Sequence, residues 1–365
     1  AFSDECEVLF MMGCIFRLIK IEEMENEEII MIHMQLCDDD EHELKELFDH
    51  MKKKFSGKSE EVNLCSFGRI LREMGKYDLA EKIYHRLLAE LPPNDPSLSV
   101  LYWNLGVVTH NKAAYDSSLE WFQKSLVIHE QKGSSNYRNI GNLYGCIGDV
   151  HRSKRELKRS LENYKKAIEL FRNANDEDHP NMGYLYNNIA VVYYDQKKYI
   201  EALDFHKKSL AIKEQHLPSN HPDIAGSHNN IGGVYYHLNK YDLAMEHFQQ
   251  SLQIWLKSLP GDHPNIAMSH NNIGLVYYNL NKYDLAMEHH QQSLKIRLKS
   301  LPGDHCDIAM SYRNIALIHE QKREWKQALE LLEKALNIHQ RAFSSQHPDV
   351  LQVKADIQRV SVNLK

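Results

Sequence analysis

A histidine recurs at a fixed interval of 42 residues between positions 179 and 347 of this 365-residue chain. The five positions are His179, His221, His263, His305 and His347. Proline follows four of them, and only Cys306 breaks that pattern. A regular period of roughly 20 to 50 residues is typical of repeat architectures, in which stacked units bury a continuous core and leave one extended surface for partners. The chain is therefore expected to fold as an array of such units.

Three further columns share the same period. Each unit holds a small residue, a bulky residue nine positions later, and a second small residue three positions after that. These columns hold Gly232, Tyr241 and Ala244 in one unit and Gly274, Tyr283 and Ala286 in the next. The same spacing at Gly68, Tyr77 and Ala80 places the start of the array near residue 60, and seven units are predicted.

Within a unit the apolar residues have a helical period. Ile231, Val234, Tyr235 and Leu238 lie at i, i+3, i+4 and i+7, and a second run of this kind follows a short polar break at 239–242. Each unit is therefore predicted to be two antiparallel helices, A and B, joined by a tight turn.

The linkers between units have the composition of a helix stop followed by a helix start. Gly261 is predicted to end one helix in the left-handed conformation. Pro264 suits the first turn of the next helix, and it keeps His263 out of the helical region. The linker histidines are thus expected to serve helix initiation.

This pattern resembles the tetratricopeptide repeat. The long period, the Asp-His-Pro linker and the string Asn-Asn-Ile-Gly at 229–232 and 271–274 are similar to the kinesin light chain and nephrocystin type of that family. The resemblance covers about residues 60–345 and implies a mainly α protein, a right-handed α-solenoid of seven helical hairpins. Residues 346–365 are predicted to form a C-terminal capping helix, because an array needs a solvated end.

The segment 1–55 does not share the period. Residues 30–36 alternate in polarity, which is typical of a half-buried strand, and residues 5–12 and 14–21 are expected to supply two more strands. A helix is predicted to follow from Asp40. The segment holds 15 acidic and 6 basic side chains. Because three strands and one helix bury too little core alone, we interpret it as the tail of a larger domain or as a docking appendage.

The start of the chain resembles the end of an arginine-type ADP-ribosyltransferase domain. The resemblance is carried by the string Glu-Cys-Glu-Val-Leu at 5–9 and by the Gly-x-x-Phe-Arg that follows it. It implies that Glu7 is the catalytic glutamate and that Glu5 orients the acceptor, with NAD as the cofactor of a longer parent protein. The alternative interpretation of the glutamate pair is a solvated strand edge. The chain looks truncated at its N-terminus and lacks the upstream motifs of that family, so we expect no transferase activity from it alone.

In tetratricopeptide arrays the A helices line the concave face. The groove positions lie at i, i+4 and i+7 along each A helix, next to a second asparagine column. The predicted groove comprises Asn187, Asn188, Val191, Tyr194, Asn229, Asn230, Gly233, Tyr236, Asn271, Asn272, Leu275, Tyr278, Arg313 and Asn314. By resemblance the asparagines would grip the main chain of a peptide, since each amide carries a donor and an acceptor. The alternative is that these residues serve only packing between repeats.

Composition argues against several other classes of function. A ladder of basic residues, as an acidic ligand needs, is missing, because only Arg152 and Arg313 stand at equivalent positions. No histidine or cysteine cluster has metal-ligand spacing, so no metal is expected. The array is nearly neutral and has no long apolar run, so neither nucleic acid nor membrane is an expected partner. The scattered cysteines favour a reducing, cytoplasmic setting.

Two functions remain open at this point. The first is a monomeric protein–protein interaction scaffold that binds a peptide or partner segment in the concave groove and holds no cofactor. The alternative is the C-terminal part of a NAD-dependent protein-arginine ADP-ribosyltransferase whose repeats select the target.

Overall fold

The computed structural model describes residues 7–10, 14–23, 30–36, 64–131 and 136–364. The chain divides into two compact units, residues 1–155 and residues 156–365. Helices make up most of the described residues, as the hydrophobic period predicted.

The first unit holds a small sheet followed by helices. Strands β1 (Glu7–Phe10), β2 (Cys14–Glu23) and β3 (Ile30–Leu36) pair antiparallel in that order. The helix predicted from Asp40 lies outside the described residues. The helices of this unit are α1 (Leu64–Glu73), α2 (Tyr77–Glu90), α3 (Leu98–Asn111), α4 (Tyr115–Gln131) and α5 (Tyr137–Ser153).

The second unit is built from helices that alternate in length. After α6 (Leu157–Asn173), each shorter A helix packs on the longer B helix that follows it, and each B helix packs on the next A helix. The A helices are α7 (Pro180–Asp195), α9 (Pro222–His237), α11 (Pro264–Asn279) and α13 (Cys306–Gln321). The B helices are α8 (Tyr199–His216), α10 (Tyr241–Ser258), α12 (Tyr283–Ser300) and α14 (Trp325–Ala342), and α15 (Pro348–Val362) packs on the last of them.

The linker histidines begin helices, as predicted. In α9, His221 is the N-cap residue, and its Nδ1 accepts a hydrogen bond of 3.1 Å from the backbone N–H of Asp223. The same bond recurs at the start of α7, α11, α13 and α15. The imidazole therefore takes the N-cap role that serine or aspartate usually has. It accepts a hydrogen bond from one of the N–H groups that a helix leaves unpaired at its start.

The prediction for Gly261 is wrong. Helix α10 ends at Ser258, the following residue Leu259 is extended (φ −126°, ψ 156°), and Gly261 does not have a positive φ. The cause is Pro260, because a residue before proline is driven into the extended region. The left-handed residues of the second unit instead include Lys197, Asn239, Asn281 and Arg323, which occupy the tight turn between A and B helices.

The small residues of the repeat let A and B helices approach closely. A Cβ atom added to Gly232 would lie 2.8 Å from Cδ1 and from Cε1 of Phe248 on the partner helix. In the next repeat, a Cβ at Gly274 would lie 2.9 Å from Cε1 and Nε2 of His290. The aromatic ring thus fills the space that glycine leaves, and Ala244 of the second small column is fully buried beside it.

Candidate functional site

A hollow of about 400 Å³ lies on the A-helix side of the second unit, across α7, α9 and α11. The i, i+4, i+7 spacing predicted that three residues of each A helix share one face, which lines the groove. Six of those predicted residues line the hollow: Val191, Tyr194, Asn229, Gly233, Tyr236 and Leu275. The helical spacing therefore identified residues from three successive repeats that the fold brings together.

Gly233 gives the hollow its depth. The equivalent positions one repeat before and after it hold Val191 and Leu275, whose side chains project into the same space. A Cβ atom at Gly233 would meet no heavy atom within 4 Å. The glycine is thus not required by packing, in contrast to its neighbour Gly232, and its absent side chain leaves the space open.

The two asparagine columns are bonded to each other across repeats. Nδ2 of Asn230 donates to Oδ1 of Asn187 at 3.1 Å, and Nδ2 of Asn272 donates to Oδ1 of Asn229 at 2.9 Å. One repeat later, Nδ2 of Asn314 donates to Oδ1 of Asn271 at 2.9 Å. Each bond joins one A helix to the next, so the amides hold neighbouring repeats in register.

This pairing limits the peptide-gripping role predicted for the asparagines. The side chains of Asn188, Asn271 and Asn314 are buried, with 7% exposure or less, and therefore pack inside the array. In the lining of the hollow, by contrast, Nδ2 of Asn229 and Oδ1 of Asn230 have no hydrogen bond partner among the described residues. One amide donor and one amide acceptor are therefore left for a guest beside Gly233.

The tyrosines of the groove are fixed by residues of the following repeat. The hydroxyl of Tyr236 accepts a hydrogen bond of 2.7 Å from Nδ2 of Asn279, and that of Tyr278 accepts one of 3.3 Å from Nε2 of Gln321. Burial raises the pKa of both hydroxyls and that of Tyr194. The rings are consequently neutral at pH 7 and present rigid, flat surfaces.

Sequence reasoning missed three polar residues of the hollow: Asp195, His206 and His237. Asp195 lies one turn after Val191 on the same helix face, so the i+4 spacing contained the signal. Burial lowers the pKa of His206 to about 4 and lowers that of His237 as well, so both imidazoles are neutral at pH 7. Asp195 is then the one formal charge in the described lining of the hollow.

Arg313 is not a free groove cation. Its Nε donates to Oδ2 of Asp356 at 2.6 Å, and Asp356 is only 1% exposed. The predicted site residue therefore forms a structural ion pair between α13 and α15.

Replacing Asn271 with alanine is expected to destabilise the array. The substitution leaves Nδ2 of the buried Asn314 without an acceptor, and an unpaired buried donor costs about 1–3 kcal/mol. Urea denaturation of N271A, N314A and the double variant measures the coupling. We expect the double variant to lose less stability than the sum of the single variants, and strict additivity would contradict the pairing.

The two glutamates predicted to be catalytic have no side chain among the described residues. Glu5 lies outside the described residues, and the structure gives only the backbone of Glu7, which pairs with Arg17 in the sheet register. The transferase interpretation therefore stays a prediction.

Within the described residues, His305, Cys306 and Asp307 form a group whose potential ligand atoms lie within 4.8 Å of one another. However, Nδ1 of His305 already accepts the N–H of Asp307, and the group sits at the positive end of a helix, which disfavours a cation.

Among the helices that the structure describes, none has both the length and the apolar character that crossing a bilayer requires.

Comparison with known proteins identifies a family. Models of the tetratricopeptide repeat match residues 67–99, 139–215, 223–299 and 308–349, together more than half of the chain. No curated protein matches this sequence.

Three of the solved structures that match this chain are the following. BtubC from P. vanneervenii is 17% identical with a TM-score of 0.54, over 64% of this chain and 94% of that one. The apo form of RapI is 18% identical with a TM-score of 0.62, over 82% of this chain and 86% of that one. A putative kinesin light chain from Podosopora anserina, with nearly identical tetratricopeptide-like repeats, is 24% identical with a TM-score of 0.44, over 51% of this chain and 88% of that one.

The first two of these similarities establish the fold and nothing more. The kinesin light chain type of repeat stays a prediction. The 42-residue period, the alternating A and B helices and the matched repeat models agree, and this chain belongs to the tetratricopeptide repeat family.

Proposed function

We propose that this protein is an interaction scaffold whose second unit binds an extended peptide segment of a protein partner in the hollow around Gly233. The observation that supports this most is the combination of unfilled space and unpaired amide groups at one place. A glycine that packing does not require lies beside Nδ2 of Asn229 and Oδ1 of Asn230, both without partners among the described residues.

The surroundings suit a peptide main chain. A peptide unit offers one N–H and one C=O, which are the complements of the acceptor and the donor left open by this asparagine pair. Tyr194 and Tyr236 flank the pair with flat surfaces that lose little conformational entropy on binding. Monomeric state, cytoplasmic location and freedom from cofactors remain predictions from sequence.

Filling the hollow is expected to weaken binding strongly without unfolding the protein. A library of random twelve-residue peptides displayed on phage is first selected against the wild-type protein, and the best peptide is then titrated by fluorescence anisotropy. We expect Gly233→Leu to weaken binding at least about tenfold, because the leucine side chain occupies the space of the guest. Its thermal unfolding should stay close to that of the wild type.

The matched control is Gln249→Leu, which adds the same side chain at an exposed position of α10 outside the hollow. It should bind like the wild type. Unchanged affinity in Gly233→Leu, or an equal loss in both variants, would refute binding in the hollow.

A further inference from the structure

The hollow around Gly233 carries a charge that nothing in its own lining balances. We propose that it receives a basic side chain, lysine or arginine, of the bound segment. This inference rests on the proposed function and adds the chemistry of the partner.

The negative charge comes from Asp195. This residue lines the hollow at the end of α7 and is exposed, and its carboxylate has no hydrogen bond or ion pair among the described residues. Its field reaches the neighbouring phenol: burial chiefly raises the pKa of Tyr194, and Tyr199 and Asp195 raise it further. A positive group placed between Tyr194 and Asp195 would be stabilised by that same field.

No cation of the described lining offsets this charge. His206 and His237 are neutral at pH 7, because burial lowers the pKa of each. Lys198, which follows the A helix, lies over the ring of Tyr193 with its Nζ 5.8 Å from the ring centroid, and neither residue lines the hollow. Arg313, farther along the array, is paired with Asp356 at 2.6 Å. The hollow therefore presents a net negative surface to a guest.

The shape of the hollow suits a long amphipathic side chain. Val191 and Leu275 provide apolar walls on either side of the space at Gly233, against which a methylene stem can pack. Tyr194 and Tyr236 line the same hollow as Asp195, and an aromatic ring attracts an ammonium or guanidinium group. An acidic side chain would meet like charge here. A purely apolar side chain would pack against the apolar walls, but it would shield the carboxylate from water without giving it a hydrogen bond or a positive charge in return.

The test uses peptides selected from the random phage library against the wild-type protein. We expect most selected sequences to share a lysine or arginine at one position. Replacing that lysine with norleucine, which keeps the stem and removes the charge, should weaken binding about three- to tenfold. Asp195→Asn should weaken binding of the parent peptide by a similar factor and leave the norleucine peptide unaffected.

The control variant is Asp242→Asn, which removes an exposed carboxylate of α10 outside the hollow and should change neither affinity. Selected peptides without a shared basic residue, or an affinity that Asp195→Asn does not change, would overturn the inference. If those peptides still lose affinity in Gly233→Leu, the proposed groove survives that result. A library that yields no peptide sensitive to Gly233→Leu would refute both the proposed groove and the preference for a basic side chain.

Discussion

Lowering the pH from about 7 to about 5 is expected to destabilise the second unit by roughly 2–4 kcal/mol, because the folded unit buries histidine side chains in their neutral form. His206 and His290 are 3% and 1% exposed, and burial lowers the pKa of each to about 4. An unfolded histidine titrates near 6.5, so the unfolded state binds more protons between these values. Stability is therefore complete above about pH 6.5 and is lost as the pH falls toward 4.

Two further histidine pairs act in the same direction. Nδ1 of His228 lies 3.0 Å from Nδ1 of His247, and the same distance separates His270 from His289 in the next repeat. Burial lowers the pKa of all four imidazoles. A hydrogen bond between two Nδ1 atoms needs one protonated and one bare nitrogen, so a second proton would break it and place like charges together.

The sequence itself supplies the variants for this experiment. Phe248 occupies the position of His290 one repeat earlier and packs on Gly232 as His290 packs on Gly274. Urea denaturation followed by circular dichroism should show that His290→Phe loses about 1–2 kcal/mol less than the wild type between the two pH values. The reciprocal variant, Phe248→His, should lose more. Equal losses in all three proteins would contradict this explanation of acid sensitivity.

Replacing Gly232 with alanine is expected to cost about 1–2 kcal/mol, whereas the same change at the adjacent Gly233 is expected to stabilise by about 0.5–1 kcal/mol. The new methyl group at Gly232 would sit 2.8 Å from the ring of Phe248 and force the two helices apart, and such overpacking typically costs about 1–3 kcal/mol. At Gly233 the methyl group meets nothing, so only the gain in helix propensity remains.

Urea denaturation at pH 7 measures both variants, and each glycine is the control for the other. The two residues share one helix, the same substitution and the same effect on the unfolded chain, so their difference reports packing alone. Variants of equal stability would show that the small column does not set the distance between α9 and α10.

Local patterns were the part of the fold that sequence could predict. The helical period needs only neighbouring side chains, and the histidine cap needs only a residue two positions away, as at His221 and Asp223. Gly261 was misjudged for a local reason too, since the proline before it had already set the conformation of Leu259.

The roles of the asparagines could not be predicted in the same way. Adjacent Asn229 and Asn230 are compatible with packing and with peptide binding, and the period gives both the same register in every unit. Which amide groups bond to the neighbouring repeat depends on how far one A helix is offset from the next. Only the structure shows that the bonded asparagines lie 43 positions apart in the chain. The unpaired groups that support the proposed site are what this offset leaves over.

Site-directed photocrosslinking locates the guest most directly. A benzophenone side chain is placed at Tyr236 in the hollow or at Leu256, which lines a second hollow between α10 and α12 of about 510 Å³. Each protein is irradiated with a peptide selected against the wild type. We predict a covalent adduct from position 236 and none from position 256. Adducts from position 256 alone would show that the A helices do not form the binding face.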